Sequence, residues 1–242
     1  MNSNSIIQSL WIGARLSAME ILCINSYLAN GHEFHLYTYN DILNIPKGTI
    51  IKDANEIVPK KDMYIDNFGG YVNLSNQFRF TMLYKLGGWW VDMDTVCLKP
   101  FDFDKSFVFS SEIIGPRTRV NNTYMKSQPG AKYLKDCLDF LLVRGHEHIH
   151  WGELGITLLS RMIFRNQLEQ YIQQPDCFCP IPCYRIDQLI SDSTCVLPET
   201  SYALHLWHNM WKTQQIDKDA KFPENSLYEM LKKKYDVFDL IE

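Results

Sequence analysis

The first 39 residues alternate between the hydrophobic patterns of strands and of a helix. An apolar stretch at 5–13, SIIQSLWIG, ends in glycine and predicts an opening strand. Residues 16–31, LSAMEILCINSYLANG, place apolar side chains at helical spacing and end in Asn-Gly, a frequent C-terminal signal of helices. Residues 34–39, FHLYTY, then alternate as a strand does. This order of elements constrains the fold most, because a strand, a helix and a strand build a parallel sheet covered by helices.

The rest of the chain continues the α/β pattern. Residues 40–72 are rich in Asp, Asn, Pro and Gly and are expected to be mostly loop. Residues 74–88 predict a helix that ends at a glycine pair, and residues 89–98, WWVDMDTVCL, predict a strand or the end of a strand. Further helices are expected at about 130–143, at 152–166 and from about 224. Because 242 residues can bury a substantial core, we expect a single domain over 1–242.

Charge and hydropathy exclude some partners. The net charge of −4 and a pI near 6.0 argue against general nucleic-acid binding, which needs a concentrated basic surface. The dense basic run Lys232–Lys234 is interpreted as a solvated helix face, with a peripheral contact to anionic lipid as the alternative. A secretory signal pattern and an apolar run of about eighteen residues are both missing from the sequence. We therefore expect a cytoplasmic protein, with that lysine run as its candidate contact at the inner face of a membrane.

The seven cysteines indicate free thiols rather than disulfides. Their number is odd and they are scattered from Cys23 to Cys195, as expected for a reducing compartment. The cluster at 177–183, CFCPIPC, raises the alternative of a metal site, with Cys195 as a fourth ligand. Its spacing lacks the paired C-x2-C pattern of structural zinc, so we favour core or loop cysteines.

Two aspartates, Asp92 and Asp94, stand one residue apart at the end of an apolar stretch. On an extended segment, residues i and i+2 project to the same side, so we expect the two carboxylates to converge. Such like charges repel unless a cation lies beside them. Mg²⁺ or Mn²⁺ suits carboxylate oxygens, particularly when a substrate diphosphate supplies further ligands. The alternative is a solvated turn, because D-x-D is frequent by chance.

The preceding helix adds polar side chains on one face. Asn76 and Arg79 are three positions apart, which places them together and lets Arg79 reach the same cleft. The alternative for Arg79 is an exposed pair with a carboxylate. Trp89 and Trp90 are expected to pack the strand beneath the site.

At these residues the sequence resembles a known family. The segment NLSNQFRFTMLYKLGGWWVDMDTVCLKPFD resembles the signature of the DXD-containing sugar-binding glycosyltransferases of family 32. This group includes yeast initiating mannosyltransferases, α-1,4-galactosyltransferases and bacterial capsule and lipopolysaccharide transferases. The matching positions are Ser75, Asn76, Arg79, Leu83, Tyr84, Gly87, Gly88, Trp89, Asp92 and Asp94. The chain departs from the family in Asn76, which replaces an aspartate that binds donor-sugar hydroxyls together with the arginine, here Arg79, and this bears on the identity of the donor.

Shorter similarities extend along the chain. LWIG places Trp11 where an aromatic packs on the nucleotide base, and the alternative is a core tryptophan on an edge strand. NNTYMKSQPGAKYL resembles an Asn-rich turn before a helix, and WGELGITLLS resembles a helix start in which Ile156 replaces a common proline. ALHLWHNMW resembles a C-terminal His-x-Trp segment that folds back over the donor phosphates, here within about 201–242.

The resemblance implies a glycosyltransferase-A type fold, with a Rossmann-like, mostly parallel sheet flanked by helices. It also implies a nucleotide-diphosphate sugar donor (a UDP-sugar is favoured), Mn²⁺ or Mg²⁺, and retention of anomeric configuration. The enzyme would be a hexosyltransferase or N-acetylhexosaminyltransferase that acts on a glycan or lipid-linked glycan in bacterial surface polysaccharide synthesis. The catalytic candidates are Arg79, Asp92 and Asp94. The donor-binding candidates are Trp11, Asn76, Arg79, Asp92 and Trp207. The metal ligands would be Asp92, Asp94 and His205.

Acceptor contacts are expected in variable loops, including residues 112–128 and RGHEHIHWGE at 144–153. Glu153 is the candidate acceptor contact. His146, His148 and His150 alternate there and could form a metal site, although a polar loop is favoured.

Two other functions compete with transfer. VDMDTV also fits the nucleophile loop of haloacid-dehalogenase-type phosphatases, but that loop usually follows the first strand, and the later acidic pair of that fold is missing. A non-catalytic sugar-binding module would keep the aromatic residues without needing both aspartates.

Overall fold

Eight strands form two sheets in this computed structural model, which describes residues 4–192 and 195–237. The strands are β1 (Ile6–Trp11), β2 (Glu33–Thr38), β3 (Ile50–Asp53), β4 (Gly88–Val91), β5 (Thr95–Cys97), β6 (Val108–Ile114), β7 (Arg117–Ser127) and β8 (Ala203–His205). The central sheet has the order β3-β2-β1-β4-β7-β6, and β5 pairs with β8 in a small second sheet. Strands β3, β2, β1 and β4 run parallel, whereas β7 and β6 are antiparallel to their neighbours. The α/β class with a mostly parallel central sheet flanked by helices is confirmed.

The helices cover both faces of this sheet. They are α1 (Ala18–Ala29), α2 (Val72–Leu86), α3 (Lys132–Arg144), α4 (Leu158–Arg165), α5 (Pro175–Phe178), α6 (Asp187–Ile190), α7 (His208–Thr213) and α8 (Leu227–Lys234). A π-helical turn, Glu153–Thr157, leads directly into α4. Helix α1 packs with β5 and α8, while α2, α3 and α4 pack on one another.

The tryptophan pair of β4 shows how the sheet divides the core. Successive side chains of a strand point to opposite faces. Trp89 accordingly joins the apolar cluster that contains α1 and the C-terminal elements, and packs against Phe101. Trp90 joins the cluster that contains α2, α3 and α4, and packs near Phe78. Both indoles are buried, so the strand that precedes the two aspartates is fixed from both sides, as the sequence predicts.

Helix α2 ends at a position that only glycine can occupy. Gly87 has φ +67°, and a Cβ there would lie 2.7 Å from Cδ of Pro129. Glycine therefore lets the chain leave the helix and enter β4 at once. The structure begins α2 at Val72, two residues before the range expected from the sequence.

The opening strand, helix and strand are confirmed as β1, α1 and β2, and helices follow at the other expected places. Two expectations were wrong. Residues 112–128 do not form a variable loop, because most of them belong to β6 and β7. Residues 89–98 are two strands in different sheets, separated by a turn at Met93–Asp94. The convergence of Asp92 and Asp94 consequently does not arise from strand alternation.

The C-terminal part of the chain returns to this turn. Strand β8 pairs with β5, directly after Asp94, and α7 follows β8 within a few residues. Residues 238–242, the end of the segment expected to fold back, lie outside the described residues. The prediction of a single domain over 1–242 stays a prediction.

No described helix is both long and apolar enough to cross a membrane. The seven cysteines are free thiols.

The lysine run has only two exposed members, Lys233 and Lys234. Lys232 is buried, and its Nζ lies 2.6 Å from Glu229 Oε1, which reduces the basic surface available for a lipid contact.

Candidate active site

A cavity of about 570 Å³ opens where β1 and β4 end. Trp11 is the last residue of β1, and Asp92 follows the last residue of β4. The carboxyl ends of parallel strands are the usual place for ligand sites in open α/β sheets. The cavity is lined by these residues predicted from the sequence: Trp11, Asn76, Arg79, Asp92, Asp94, His205 and Trp207.

Asp92 is held in one orientation. Its Oδ1 accepts a hydrogen bond from Trp90 Nε1 at 3.0 Å and lies 3.0 Å from Arg79 Nη2. Its backbone N–H donates to the Thr123 carbonyl at 3.1 Å, and its own carbonyl accepts from Thr95 Oγ1 at 2.8 Å. Burial raises the pKa of Asp92, with Arg79 opposing the shift. The turn is thus fixed through both backbone and side chain.

Asp94 is bound by the returning C-terminal segment. Its carbonyl accepts from the Leu206 N–H at 2.8 Å, and its Oδ2 accepts from the His208 N–H at 2.9 Å. The same Oδ2 lies 3.1 Å from His205 Nε2. Burial works against ionisation of Asp94, but His205 and these hydrogen bonds hold its pKa well below the usual range. Burial likewise lowers the pKa of His205, and the Asp94 charge outweighs it, so the net shift is upward.

Arg79 is a buried anchor rather than an exposed ion-pair partner. Its side chain is 6% exposed, against 25% for Asp92. Nη1 donates to the Asn122 carbonyl at 2.6 Å, Nη2 donates to Ser75 Oγ at 3.0 Å, and the guanidinium lies 4.8 Å from the Trp90 ring centroid. With its nitrogens bound to the protein, Arg79 presents a fixed positive charge to the cavity.

Asn76 is placed by a close approach of two helical segments. Its Oδ1 accepts from Asn122 Nδ2 at 2.8 Å. A Cβ at Gly155, in the π-helical turn, would lie 2.8 Å from Asn76 Nδ2 and 3.1 Å from Asn122 Nδ2. Only a residue without a side chain leaves room for this amide pair.

The two aromatic candidates come from different elements: Trp11 ends β1 and Trp207 immediately precedes α7. Trp11 is half-buried, donates from Nε1 to the Arg15 carbonyl at 3.2 Å, and has Lys218 Nζ 5.5 Å from its ring centroid. Strand β1 lies between β2 and β4, so Trp11 is not on an edge strand, and the alternative is wrong on that point. Trp207 is buried, donates to the Ile181 carbonyl at 2.8 Å, and has its ring centroid 3.8 Å from that of His205.

The structure places Glu153 away from the others. Its Oε1 accepts from Arg144 Nε at 2.7 Å and its Oε2 accepts from the His150 N–H at 2.9 Å. It is not among the residues that line the cavity. Gly152, just before the π-helical turn, and Gly155, within it, do line the cavity.

A divalent cation fits the carboxylate pair. No described residue donates a hydrogen bond to Asp92 Oδ2 or to Asp94 Oδ1, while both carboxylates face the cavity. These hard oxygen donors are of the type that Mg²⁺ and Mn²⁺ prefer. Among residues 4–192 and 195–237, no three His, Cys, Asp or Glu side chains are already arranged around one metal position. His205 Nε2 is engaged with Asp94, so its role as a third ligand stays a prediction.

Within the described residues, neither the cysteine cluster nor the alternating histidines brings three candidate metal ligands together. His146 instead stacks on Tyr64, with ring centroids 4.2 Å apart.

Five further lining residues were not singled out from the sequence, although all but Gly155 lie in the ranges expected to contact the acceptor: Glu112, Arg119, Asn121, Trp151 and Gly155. Glu112 and Arg119 face each other across β6 and β7, in a region expected to be loop. The strand signal there is masked because buried polar residues replace the usual apolar positions. The importance of Gly155 lies in its tertiary contacts, which local sequence patterns do not reveal.

Comparison with known proteins finds a family match over part of the chain. Residues 18–120 match the family described as the glycosyltransferase sugar-binding region containing DXD motif. This segment of the chain is similar to that sugar-binding region. The matched glycosyltransferase segment includes α2, β4 and the Asp92–Asp94 turn, so the resemblance drawn from the sequence is confirmed. A search of curated proteins finds no match.

Two solved structures, both of glycosyltransferases, share the fold of this chain. The PaToxG glycosyltransferase has a TM-score of 0.52 at 18% identity, covering 67% of this chain and 69% of that chain. The apo form of the glycosyltransferase GlyE from Streptococcus pneumoniae TIGR4 has a TM-score of 0.50 at 12% identity, covering 98% of this chain and 64% of that chain. At such identities the likeness shows the fold alone, which agrees with the glycosyltransferase-A type expectation.

Proposed function

We propose that this glycosyltransferase moves a hexose or N-acetylhexosamine from a nucleotide-diphosphate donor to a glycan or lipid-linked glycan acceptor, with Mn²⁺ or Mg²⁺ and with retention of configuration. A UDP-sugar is the favoured donor. The resemblance to capsule and lipopolysaccharide transferases favours bacterial surface polysaccharide synthesis. That role would place the enzyme in the cytoplasm, where Lys233 and Lys234 could contact the inner face of the membrane.

One observation carries this proposal. The carboxylates of Asp92 and Asp94, the guanidinium of Arg79 and the aromatic rings of Trp11 and Trp207 line one cavity at the carboxyl ends of β1 and β4. A nucleotide sugar offers a base, a charged diphosphate and a polyhydroxyl ring. Aromatic planes suit the base, acidic and basic groups suit the metal-bound diphosphate, and amides suit the hydroxyls.

The placement of the acidic and basic side chains in the cavity supports a role for them in stabilising the leaving group. Asp92 and Asp94 would hold the cation, which supplies Lewis-acid stabilisation of the departing diphosphate when bound. Arg79 is already fixed by Ser75 and Asn122, so it needs no reorganisation as negative charge develops. Trp207, locked to Ile181, would close the site from the C-terminal segment.

The family match favours transfer over the two alternatives. A phosphatase would use Asp92 as a nucleophile in a loop after the first strand, whereas here Asp92 follows β4 and lies within the matched segment. A non-catalytic sugar-binding module would have no need for the buried charges around Asp94.

The test is a thermal-shift screen of UDP- and GDP-sugars with and without Mn²⁺. Donor binding stabilises the folded state by mass action, by about 2.7 kcal/mol when the ligand is a hundredfold above Kd. We expect a metal-dependent increase in Tm with at least one nucleotide sugar. A separate activity assay distinguishes the phosphatase: hydrolysis of a phosphomonoester, without hydrolysis of a nucleotide sugar, would favour that alternative.

A further inference from the structure

Glu112 is a buried carboxylate that has no part in the proposed metal, base and leaving-group contacts. It lies on β6, directly opposite Arg119 on β7, and its Oε1 accepts from Arg119 Nε at 2.8 Å. The Glu112 side chain is 1% exposed, whereas that of Arg119 is 51% exposed. The ion pair therefore directs its acidic member inward and its basic member outward.

The second oxygen of this carboxylate has no partner. Glu112 Oε2 is buried and accepts no hydrogen bond from any described residue. Leaving a buried charged acceptor unsatisfied is costly, and such atoms in native structures call for a specific explanation. Because Glu112 lines the same cavity as Asp92 and Asp94, a ligand group in that cavity is the available donor.

The position of Glu112 across the sheet indicates which part of a ligand it meets. The strand order places β1, with Trp11, on one side of β4 and places β7 and β6, with Glu112, on the other. A donor whose base lies against Trp11 and whose diphosphate lies at the Asp92–Asp94 turn would direct its sugar towards β6. An acceptor has to enter from solvent, near Trp151, which lines the cavity and is 56% exposed. A nearly inaccessible carboxylate is better placed for the sugar that is bound with the nucleotide.

We propose that Glu112 Oε2 accepts a hydrogen bond from a hydroxyl group of the donor sugar, with Arg119 fixing the orientation of the carboxylate. This inference rests on the proposed function and deepens it by adding a residue that selects the sugar. A carboxylate acceptor discriminates strongly against a sugar that lacks the matching hydroxyl, because its second oxygen is then left buried without a hydrogen bond.

The experiment compares binding of a nucleoside diphosphate with binding of its sugar conjugate. Calorimetry with Mn²⁺ measures Kd for UDP, UDP-glucose, UDP-galactose and UDP-N-acetylglucosamine, and for GDP and GDP-mannose, in the wild type, Glu112→Gln and Glu112→Ala. For the donor that binds the wild type best, we expect roughly a tenfold to hundredfold loss in Glu112→Ala, because a hydrogen bond to a charged group is lost. The affinity for the bare diphosphate should stay within about twofold. Glu112→Gln keeps the shape and should show the same selective loss if Glu112→Ala does not fold.

Monodeoxy analogues of that donor test the contact itself. The analogue without the contacted hydroxyl should bind the wild type and Glu112→Gln alike, a result that a merely structural role for Glu112 would not produce. Asp139→Asn is the matched control, since it neutralises a carboxylate in an exposed ion pair with Lys135 on α3 and should change no affinity.

Each other outcome has a definite meaning. An unchanged difference between sugar conjugate and bare diphosphate in both Glu112 variants would overturn this inference and leave the proposed function standing. Equal losses for the two ligands would also overturn it, because they would place Glu112 in the nucleotide site or in the fold. A wild-type protein that binds none of these ligands would overturn the proposed function, and this inference with it.

Discussion

Replacing Gly155 by alanine tests how the donor-sugar residues are positioned. The new Cβ would lie 2.8 Å from Nδ2 and 2.9 Å from Oδ1 of Asn76, and 3.1 Å from Nδ2 of Asn122. Contacts of this kind are too short, so the two amides must move and their 2.8 Å hydrogen bond must break or lengthen. Gly155→Ala should therefore disturb the site without altering any group that contacts a ligand directly.

Two effects of opposite sign decide the magnitude. Alanine has the higher helix propensity and would by itself stabilise a helical position by about 1 kcal/mol. Overpacking a filled site costs about 1–3 kcal/mol, and the lost amide hydrogen bond costs about 1 kcal/mol more. The net expectation is a destabilisation of roughly 1–3 kcal/mol, which corresponds to a Tm lower by several degrees for a domain of this size.

Thermal unfolding and calorimetry of sugar-nucleotide binding measure the two consequences. Gly70→Ala is the control, because a Cβ there meets nothing within 4 Å and its φ is not in the left-handed region. We expect Gly155→Ala to lower Tm and to weaken binding of the sugar conjugate more than binding of the bare diphosphate. A Gly155→Ala protein as stable as Gly70→Ala, with unchanged sugar affinity, would refute the assigned contact between the π-helical turn and Asn76.

Three further predictions concern single side chains. Arg79→Ala should weaken sugar-nucleotide binding more than bare-diphosphate binding and destabilise the fold by about 3–5 kcal/mol, since Asp92 is left uncompensated; equal losses for both ligands in calorimetry would exclude a sugar contact. Trp11→Ala should weaken diphosphate binding without changing sugar preference, and an unchanged Kd in the folded variant would contradict base stacking. In the metal-free protein, burial lowers the pKa of His205 but Asp94 raises it more, to a net value above 6.5. This pair should stabilise the wild type below pH 6.5 relative to His205→Gln, and urea unfolding should show the advantage fading as pH rises through that higher pKa.

The parts of the fold that were predictable are those with local signals. Strand β1, α1 and β2 have clear hydrophobic periods, and the glycine pair at the end of α2 marks a real change in backbone direction. The β6–β7 hairpin was missed because its buried positions hold polar residues such as Asn121 and Glu112. These side chains find hydrogen-bond partners only in the folded site. Their sequence pattern therefore resembles that of a loop.

The site was predictable where a short motif fixes identity and spacing. Asn76, Arg79, Asp92 and Asp94 were found in that way, and they do line one cavity. The way in which the two aspartates come together was not predictable from the sequence, because it depends on a turn between two sheets. Contacts supplied from more than a hundred residues away, such as the His208 N–H to Asp94, follow from topology and leave no local trace.

The most direct test of the account is calorimetric titration of wild type and Asp94→Asn with the donor that the screen identifies, in Mn²⁺ and in chelator. Asp94→Asn preserves the size of the side chain and can still accept from the His208 N–H, so circular dichroism should show an intact fold. We expect the wild type to bind the donor tightly only with Mn²⁺, and we expect Asp94→Asn to lose this metal-dependent binding. Binding of the donor with equal affinity in chelator, or by Asp94→Asn with Mn²⁺, would contradict a metal-bridged donor at the Asp92–Asp94 turn.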